Sequence, residues 1–253
     1  MSKEWSNKEF WSKYWEKEKP TTTEFTFSKI VEKYINFNTI SSYMEIGGAP
    51  GAIVTYIHNK YKLKCSIIDY VDKKYTENIL KENNVTNYCI YEEDFINFNP
   101  SRHKHKYGLV ASWGFIEHFD KSVCKRIIQK QKELVENNGY LLIELPNIRK
   151  FNWLIYRICN NELLKIHNLD IMDLSFIQEE VSTNNEFEIL YCDYYLTSFF
   201  FFNSSSEFFD RHNLLKKIFK SINKLAQFLH FDNIRTKFFS PYIVLIAKKK
   251  ALV

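Results

Sequence analysis

The chain has 253 residues, 45% hydrophobic and 26% charged, a globular balance with enough length to bury a sizeable core. Its net charge of +5 comes from scattered basic residues, which points to a mildly basic surface and not to a dedicated nucleic-acid face. Cys65, Cys89, Cys124, Cys159 and Cys192 are far apart and form no CxxC pair, which excludes a zinc module or a disulfide framework and fits a reducing compartment.

Met1-Ser2-Lys3-Glu4-Trp5 carries no apolar signal core, so the expected location is cytoplasmic. Residues 4–19 mix polar and aromatic side chains, with Trp11, Tyr14 and Trp15 on one helical face. Pro20 and the threonines after it break that pattern, and a second helix is expected from about Thr23 to Ile35. Strand and helix signals then alternate: strand Ile40–Ile46, helix Ala52–Lys60, strand Lys64–Asp69, helix Lys73–Asn83, then short strands at Tyr88–Tyr91 and Tyr107–Ser112. A long helix is expected over Lys121–Asn137, stopped by Asn138-Gly139, with a strand at Tyr140–Leu145 closed by Pro146. Such alternation predicts a parallel sheet covered on both faces, with ligands at the carboxyl ends of its strands.

After Pro146 the rhythm changes. Residues 147–185 read as helical and irregular, Phe187–Phe202 as strand-like, Leu214–Leu229 as a helix, and residues 240–247 as a final strand before a solvated Lys248-Lys249-Lys250 run. The greasy stretch at Phe187–Phe202 is broken by Glu188 and Asp193 and is too short to span a bilayer, so no membrane partner is expected. The whole is expected to be a single domain, with residues 147–185 and 203–239 as cap segments.

Three of the six glycines, Gly47, Gly48 and Gly51, fall in Glu45-Ile46-Gly47-Gly48-Ala49-Pro50-Gly51, between a buried strand and a helix. Glycines at such a corner let backbone approach a ligand closely, and the helix behind them presents unpaired N–H groups. No Gly-Lys-Ser/Thr follows, which excludes a P-loop, and the glycines lack GxGxxG spacing. Pro50 removes a donor that a pyrophosphate would need. Asp69 ends the second strand about eighteen residues past Gly51, where a carboxylate can accept two ribose hydroxyls. Asp94 with Phe95 could read an adenine amine and stack on its ring. The better match is a ligand with a ribose and an adenine but no phosphates.

These residues, together with Val110-Ala111-Ser112-Trp113-Gly114-Phe115-Ile116-Glu117-His118-Phe119 and Asn138–Asn147, resemble the ordered motifs of class I S-adenosylmethionine-dependent methyltransferases. The likeness covers roughly residues 40–147. It implies an α/β fold: a Rossmann-like seven-stranded sheet with helices on both faces, the last strand antiparallel, with helical cap insertions. It further implies a helical lid over residues 1–38, a cofactor core over 39–146, and S-adenosylmethionine as cofactor, S-adenosylhomocysteine as product. In that reading Glu45 faces the methionine amine, Gly47, Gly48 and Gly51 admit the methionyl and ribose portion, and Asp69 with Tyr70 holds the ribose. Asp94 and Phe95 take the adenine, and the backbone of Ser112 and Trp113 lines the amino-acid end. The family usually has glycine where Ala49 stands, and Ala-Pro-Gly is shared by some RNA methyltransferases.

His118 is the candidate general base, since imidazole titrates near neutrality, against a reading as a helix cap or a partner of buried backbone. A similar Glu-His pair in quinone methyltransferases has an extra carboxylate where Gly114 stands, so no metal is expected. His167 and Trp15 are the candidate acceptor-binding residues, each with a purely structural alternative. His103 and His105 read as a solvated loop. Phe199–Phe202, Phe208 and Phe209 could wall an apolar acceptor pocket, form a dimer contact or fill core. The expected function is methyl transfer to oxygen or nitrogen of a small molecule, a sugar or other metabolite. RNA methylation and a non-catalytic partner subunit are the rivals, nucleic acid being disfavoured because no Asn-Pro-Pro-Tyr, Pro-Cys or added RNA-binding module is present. Oligomeric state is left open, a homodimer among the options.

Overall fold

A computed structural model describes residues 7–17, 22–103, 106–197, 211–229 and 234–251. Phe199–Phe202, Phe208, Phe209, Pro20 and His105 lie outside these residues.

Strands β1 (Ser42–Ile46), β2 (Lys64–Asp69), β3 (Tyr88–Glu92), β4 (Tyr107–Trp113), β5 (Val135–Pro146), β6 (Phe187–Tyr195) and β7 (Tyr242–Lys249) form one sheet, in the order β3-β2-β1-β4-β5-β7-β6. β1 to β5 run parallel, and β7 runs antiparallel between β5 and β6. The central strands are apolar runs buried on both faces, as parallel strands under helices must be. Side chains alternate between two cores. Met44, Ile68, Val110, Leu141 and Ile143 face one, while Tyr43, Ile67, Leu109 and Leu142 face the other.

Helices α1 (Lys8–Lys17), α2 (Ser28–Tyr34), α3 (Ala52–Tyr61), α4 (Lys73–Glu82), α5 (Lys121–Leu134), α6 (Phe151–Cys159), α7 (Asn161–Lys165), α8 (Leu174–Ser182) and α9 (Asn213–Phe228) complete the described elements. α5 and α8 bury Ile127, Ile128, Phe176 and Ile177 in the first core, while α2 and α3 bury Val31, Val54 and Ile57 in the second. α4 starts at Asp72, whose carboxylate accepts the Lys74 N–H at 2.9 Å.

Several boundaries differ from the sequence expectation. α2 is only Ser28–Tyr34, because Phe25 and Phe27 are spent packing against Tyr56 and Trp113 before the helix begins. α5 stops at Leu134 and not at Asn137, because Val135 already pairs with Tyr107. The register then slips, so residues 136–139 bulge out before Tyr140 pairs with Leu109. Gly139 therefore serves that bulge and not a helix end: a Cβ there would stand 2.9 Å from the carbonyl oxygens of Glu136 and Gly108. The strand-like stretch after Phe187 ends as β6 at Tyr195.

The lysine run is also not uniformly solvated. Lys249 is buried, its Nζ donating to the carbonyls of Val135 at 3.0 Å and Lys132 at 3.3 Å, so it caps the carboxyl end of α5. His103 is half-buried, stacking on Phe98 with ring centroids 5.5 Å apart and meeting Tyr91 edge-on. Among the described residues, no helix is long and apolar enough to cross a membrane.

Candidate active site

The strand order reverses between β1 and β4, and the carboxyl ends of β1, β2 and β4 border a cavity of about 390 Å³ there. Its wall includes Glu45, Gly47, Gly48, Asp69, Tyr70 and Trp113 of the sequence candidates. It also takes in Ala49, Pro50, Val71, Gly114, Phe115 and Phe119, none of which is a cofactor-binding candidate in the sequence. The Ala49-Pro50 peptide is cis.

Gly47 follows β1 with φ +69°, and its N–H donates to the Ile68 carbonyl at 2.9 Å. A Cβ on Gly47 would fall 2.3 Å from the Phe115 ring, and one on Gly48 2.8 Å from Ile67, so the corner closes only with glycine at both. Gly51 (φ +94°) does not line the cavity; it begins α3, and a Cβ there would press on Thr76 of α4 at 3.0 Å. Its requirement is left-handed backbone and helix packing.

Asp69 ties the corner together. One carboxylate oxygen accepts the Ala49 N–H at 3.0 Å and the other the Val71 N–H at 2.9 Å. Burial pushes its pKa up, against the N–H groups of Val71, Ala49 and Tyr70, which pull it down. Glu45 sits at the end of a relay: Trp113 Nε1–H donates to Tyr43 Oη at 2.9 Å, and Tyr43 Oη–H donates to Glu45 Oε2 at 2.8 Å. Burial pushes the Glu45 carboxyl up to about 8, the Tyr43 hydrogen bond opposes that, and the Asp69 charge adds to it. The Trp113 side chain, and not just its backbone, thus belongs to the site.

Three other expected residues stand off the cavity wall. Asp94 accepts the Ile96 N–H at 2.9 Å and the Asn97 side-chain amide at 2.7 Å, which makes it the cap of the turn after β3. Phe95 is 2% exposed and packs between Phe98 and Phe115. It is core and offers no stacking face; the rings on the wall are Phe115 and Phe119. Ser112 is fully buried, with its hydroxyl unpartnered.

α1 lies along the cavity, with Trp11, Tyr14 and Trp15 in its wall. Tyr75 holds the helix by donating to Glu16 at 2.8 Å, and Lys8 pairs with Glu92 at 3.4 Å. Trp11 meets the His118 ring edge-on, centroids 4.9 Å apart.

A smaller cavity of about 170 Å³ shares Trp11, Tyr14, Gly114 and His118 with the first and adds Glu117, Tyr156 and His167. His118 Nδ1 lies 2.8 Å from the Ile166 carbonyl. A carbonyl only accepts, so we assign the proton to Nδ1 and the lone pair to Nε2. Nε2 lies 3.6 Å from Glu117 Oε1, and His167 Nε2 lies 4.0 Å from the same oxygen. Burial, then the charge of His167, lowers the His118 pKa to about 3, so the ring is neutral at physiological pH. Burial, reinforced by Glu144, holds the Glu117 carboxyl well above its usual range, and its Oε2 has no hydrogen-bond partner. Donor atoms of Glu117, His118 and His167 all fall within 4.8 Å of one another, close enough to share a proton or to ligate a divalent cation. Glu117 lies in the Val110–Phe119 motif, where the sequence alone assigns it no task.

Strand order and the antiparallel β7 define the class I methyltransferase fold, a Rossmann-like α/β sheet. No protein-family profile and no curated protein sequence matches the chain. Among solved structures it is similar to a Galdieria sulphuraria protein provisionally assigned as a sarcosine dimethylglycine methyltransferase (TM-score 0.61, 11% identity, 97% of this chain and 99% of that one). It is similar as well to coclaurine N-methyltransferase bound to N-methylheliamine and S-adenosylhomocysteine (TM-score 0.58, 14% identity, 88% and 70%). A third is phosphoethanolamine N-methyltransferase 2 of Haemonchus contortus in complex with S-adenosylmethionine (TM-score 0.57, 14% identity), of which the chain spans about half, 88% of this chain covering 52% of that one. At these identities the likeness establishes the fold.

Proposed function

We propose that the chain is an S-adenosylmethionine-dependent methyltransferase that transfers a methyl group to oxygen or nitrogen of a small molecule, a sugar or other metabolite. One observation carries this: the cavity at the switch point is bordered by the buried Glu45, the half-buried Asp69 and a glycine corner, with no phosphate-cradling loop. The residues fit the cofactor. Glu45 supplies a carboxylate for its ammonium, Asp69 an acceptor for its ribose hydroxyls, and Phe115, Phe119 and Val71 an apolar wall for its base. The sulfonium supplies an already activated methyl group, so no protein nucleophile is required.

What remains for the protein is positioning, exclusion of water and removal of a proton. The acceptor occupies the smaller cavity, with Tyr156 and His167 in its wall, Trp11 and Tyr14 of α1 bordering both spaces and Trp15 the larger one. His118 Nε2, oriented by the Nδ1 bond to Ile166, is the group placed to take the acceptor's proton. Segments 147–185 and 203–239 set acceptor choice. Transfer of labelled methyl groups to a panel of hydroxyl and amine metabolites tests this. His118→Ala should lower kcat by roughly 100-fold or more, with a much smaller loss of cofactor-product affinity. Dialysis against a chelator should leave the rate within about twofold, since no step in this proposal uses a metal. Absence of transfer to every acceptor class would contradict the reading.

A further inference from the structure

α9 carries Leu214, Leu215, Ile218, Ile222, Leu225 and Phe228 on a single stripe at helical spacing, and every one of them is exposed. Leu214 is 73% and Phe228 79% exposed, so the stripe faces solvent and not the protein. Lys217, Lys220 and Lys224 flank one edge of that stripe, and the helix contains no acidic residue. None of these three lysines forms an ion pair with the described residues.

A helix with an exposed apolar stripe and only lysines as charged residues matches a bilayer in both respects. The stripe suits the acyl boundary and the lysines suit anionic headgroups. A second copy packed antiparallel on the stripe would set this lysine edge against its own lysine edge, which is unfavourable. We infer that α9 docks this protein on the surface of an anionic lipid bilayer, lying in the interface and not crossing it.

The position of the helix gives the docking a purpose. β6 ends at Tyr195 and β7 starts at Tyr242, and both pair at the level of Pro146, the carboxyl end of β5. The segment bearing α9 therefore leaves the sheet at the same edge as the two cavities. More apolar surface is exposed at that edge: Trp153, Leu154 and Ile158 of α6, and Phe238 and Phe239, which pack on Phe151. Docking through α9 sets the mouth of the site against the membrane and favours acceptors that reside there.

The inference is independent of the catalytic reading, and its test reads binding alone. The full chain is sedimented with vesicles of phosphatidylcholine, with or without phosphatidylglycerol. Two triple variants are compared, Leu214→Glu/Ile218→Glu/Leu225→Glu and Lys217→Glu/Lys220→Glu/Lys224→Glu. Circular dichroism and light scattering report fold and oligomeric state. The wild type should bind the anionic vesicles at least about tenfold more tightly than the neutral ones, and salt should weaken that binding. The apolar-face variant should lose binding roughly tenfold or more with its fold intact, and the lysine variant should lose the preference for anionic lipid. A wild type that stays in the supernatant with both vesicles would overturn the inference. So would apolar-face variants that bind equally well, or a wild-type dimer that those variants dissociate without any vesicle binding.

Discussion

Asp69 and Asp94 look equivalent as acidic residues after neighbouring strands, yet only one borders the cavity. Asp69→Ala should weaken binding of S-adenosylhomocysteine by at least about tenfold, since it removes the diol acceptor and frees the Ala49 and Val71 N–H groups. Asp94→Asn should change that affinity by less than about threefold, because its carboxylate serves its own turn. Equal losses in the two variants, read by calorimetry, would contradict the assignment. Glu45 adds a proton to the balance. With its carboxyl near 8 it is mostly neutral at pH 7, and an ammonium placed beside it would pull that pKa down. Binding of the product at pH 7 should therefore release a proton, seen as a dependence of the binding heat on the ionisation enthalpy of the buffer. Glu45→Gln should abolish that dependence.

At the scale of elements, the glycine corner sorts into positions of different kind. Gly47 and Gly48 shape the cavity, whereas Gly51 joins α3 to α4 through a left-handed residue. Gly51→Ala should cost about 1 kcal/mol or more of stability, from positive φ and the Thr76 contact, with cofactor affinity little changed. Denaturant melts of the folded variant check this. The strand–loop–helix corner itself was legible in the sequence because apolar runs, glycines and helix starts follow one another within few residues. The end of α5 was not, because Asn138-Gly139 carries the same residues as a helix stop, and only the pairing of Val135 with Tyr107 shows that a bulge uses them. Phe95 was misread for a related reason: an aromatic residue after a strand reads the same whether it faces a ligand or a core. The proximity of Glu117, His118 and His167 was half visible, since His167 comes from a segment nearly fifty residues further on and only the fold brings its ring within 4.7 Å of His118.

For the whole molecule, the buried carboxyls tie stability to pH. Glu45 and Glu144 are both pushed up to about 8 by burial, so in the folded state they hold protons that the unfolded chain gives up near its ordinary carboxylate pKa. Their stabilising protonation is complete at acid pH and is lost as pH rises toward 8. His118, lowered to about 3, works the other way, but only below its ordinary value near 6.5. Between pH 6.5 and 8 these carboxyls act together, so the Tm of the ligand-free protein should fall across that window and fall less steeply in Glu45→Gln, with Glu144 still contributing. The overall architecture was readable because parallel strands under helices leave unmistakable apolar runs. The uses of α9 were not, because a basic amphipathic helix has the same sequence whether a partner covers it or not. The central claim is a phosphate-free nucleoside cofactor held between the Gly47–Gly48 corner and the Asp69 carboxylate. Isothermal titration of the purified chain with S-adenosylhomocysteine tests it most directly. The account predicts one-site binding that Asp69→Ala weakens at least about tenfold. No measurable heat with the folded wild type, or binding indifferent to Asp69→Ala, would contradict it.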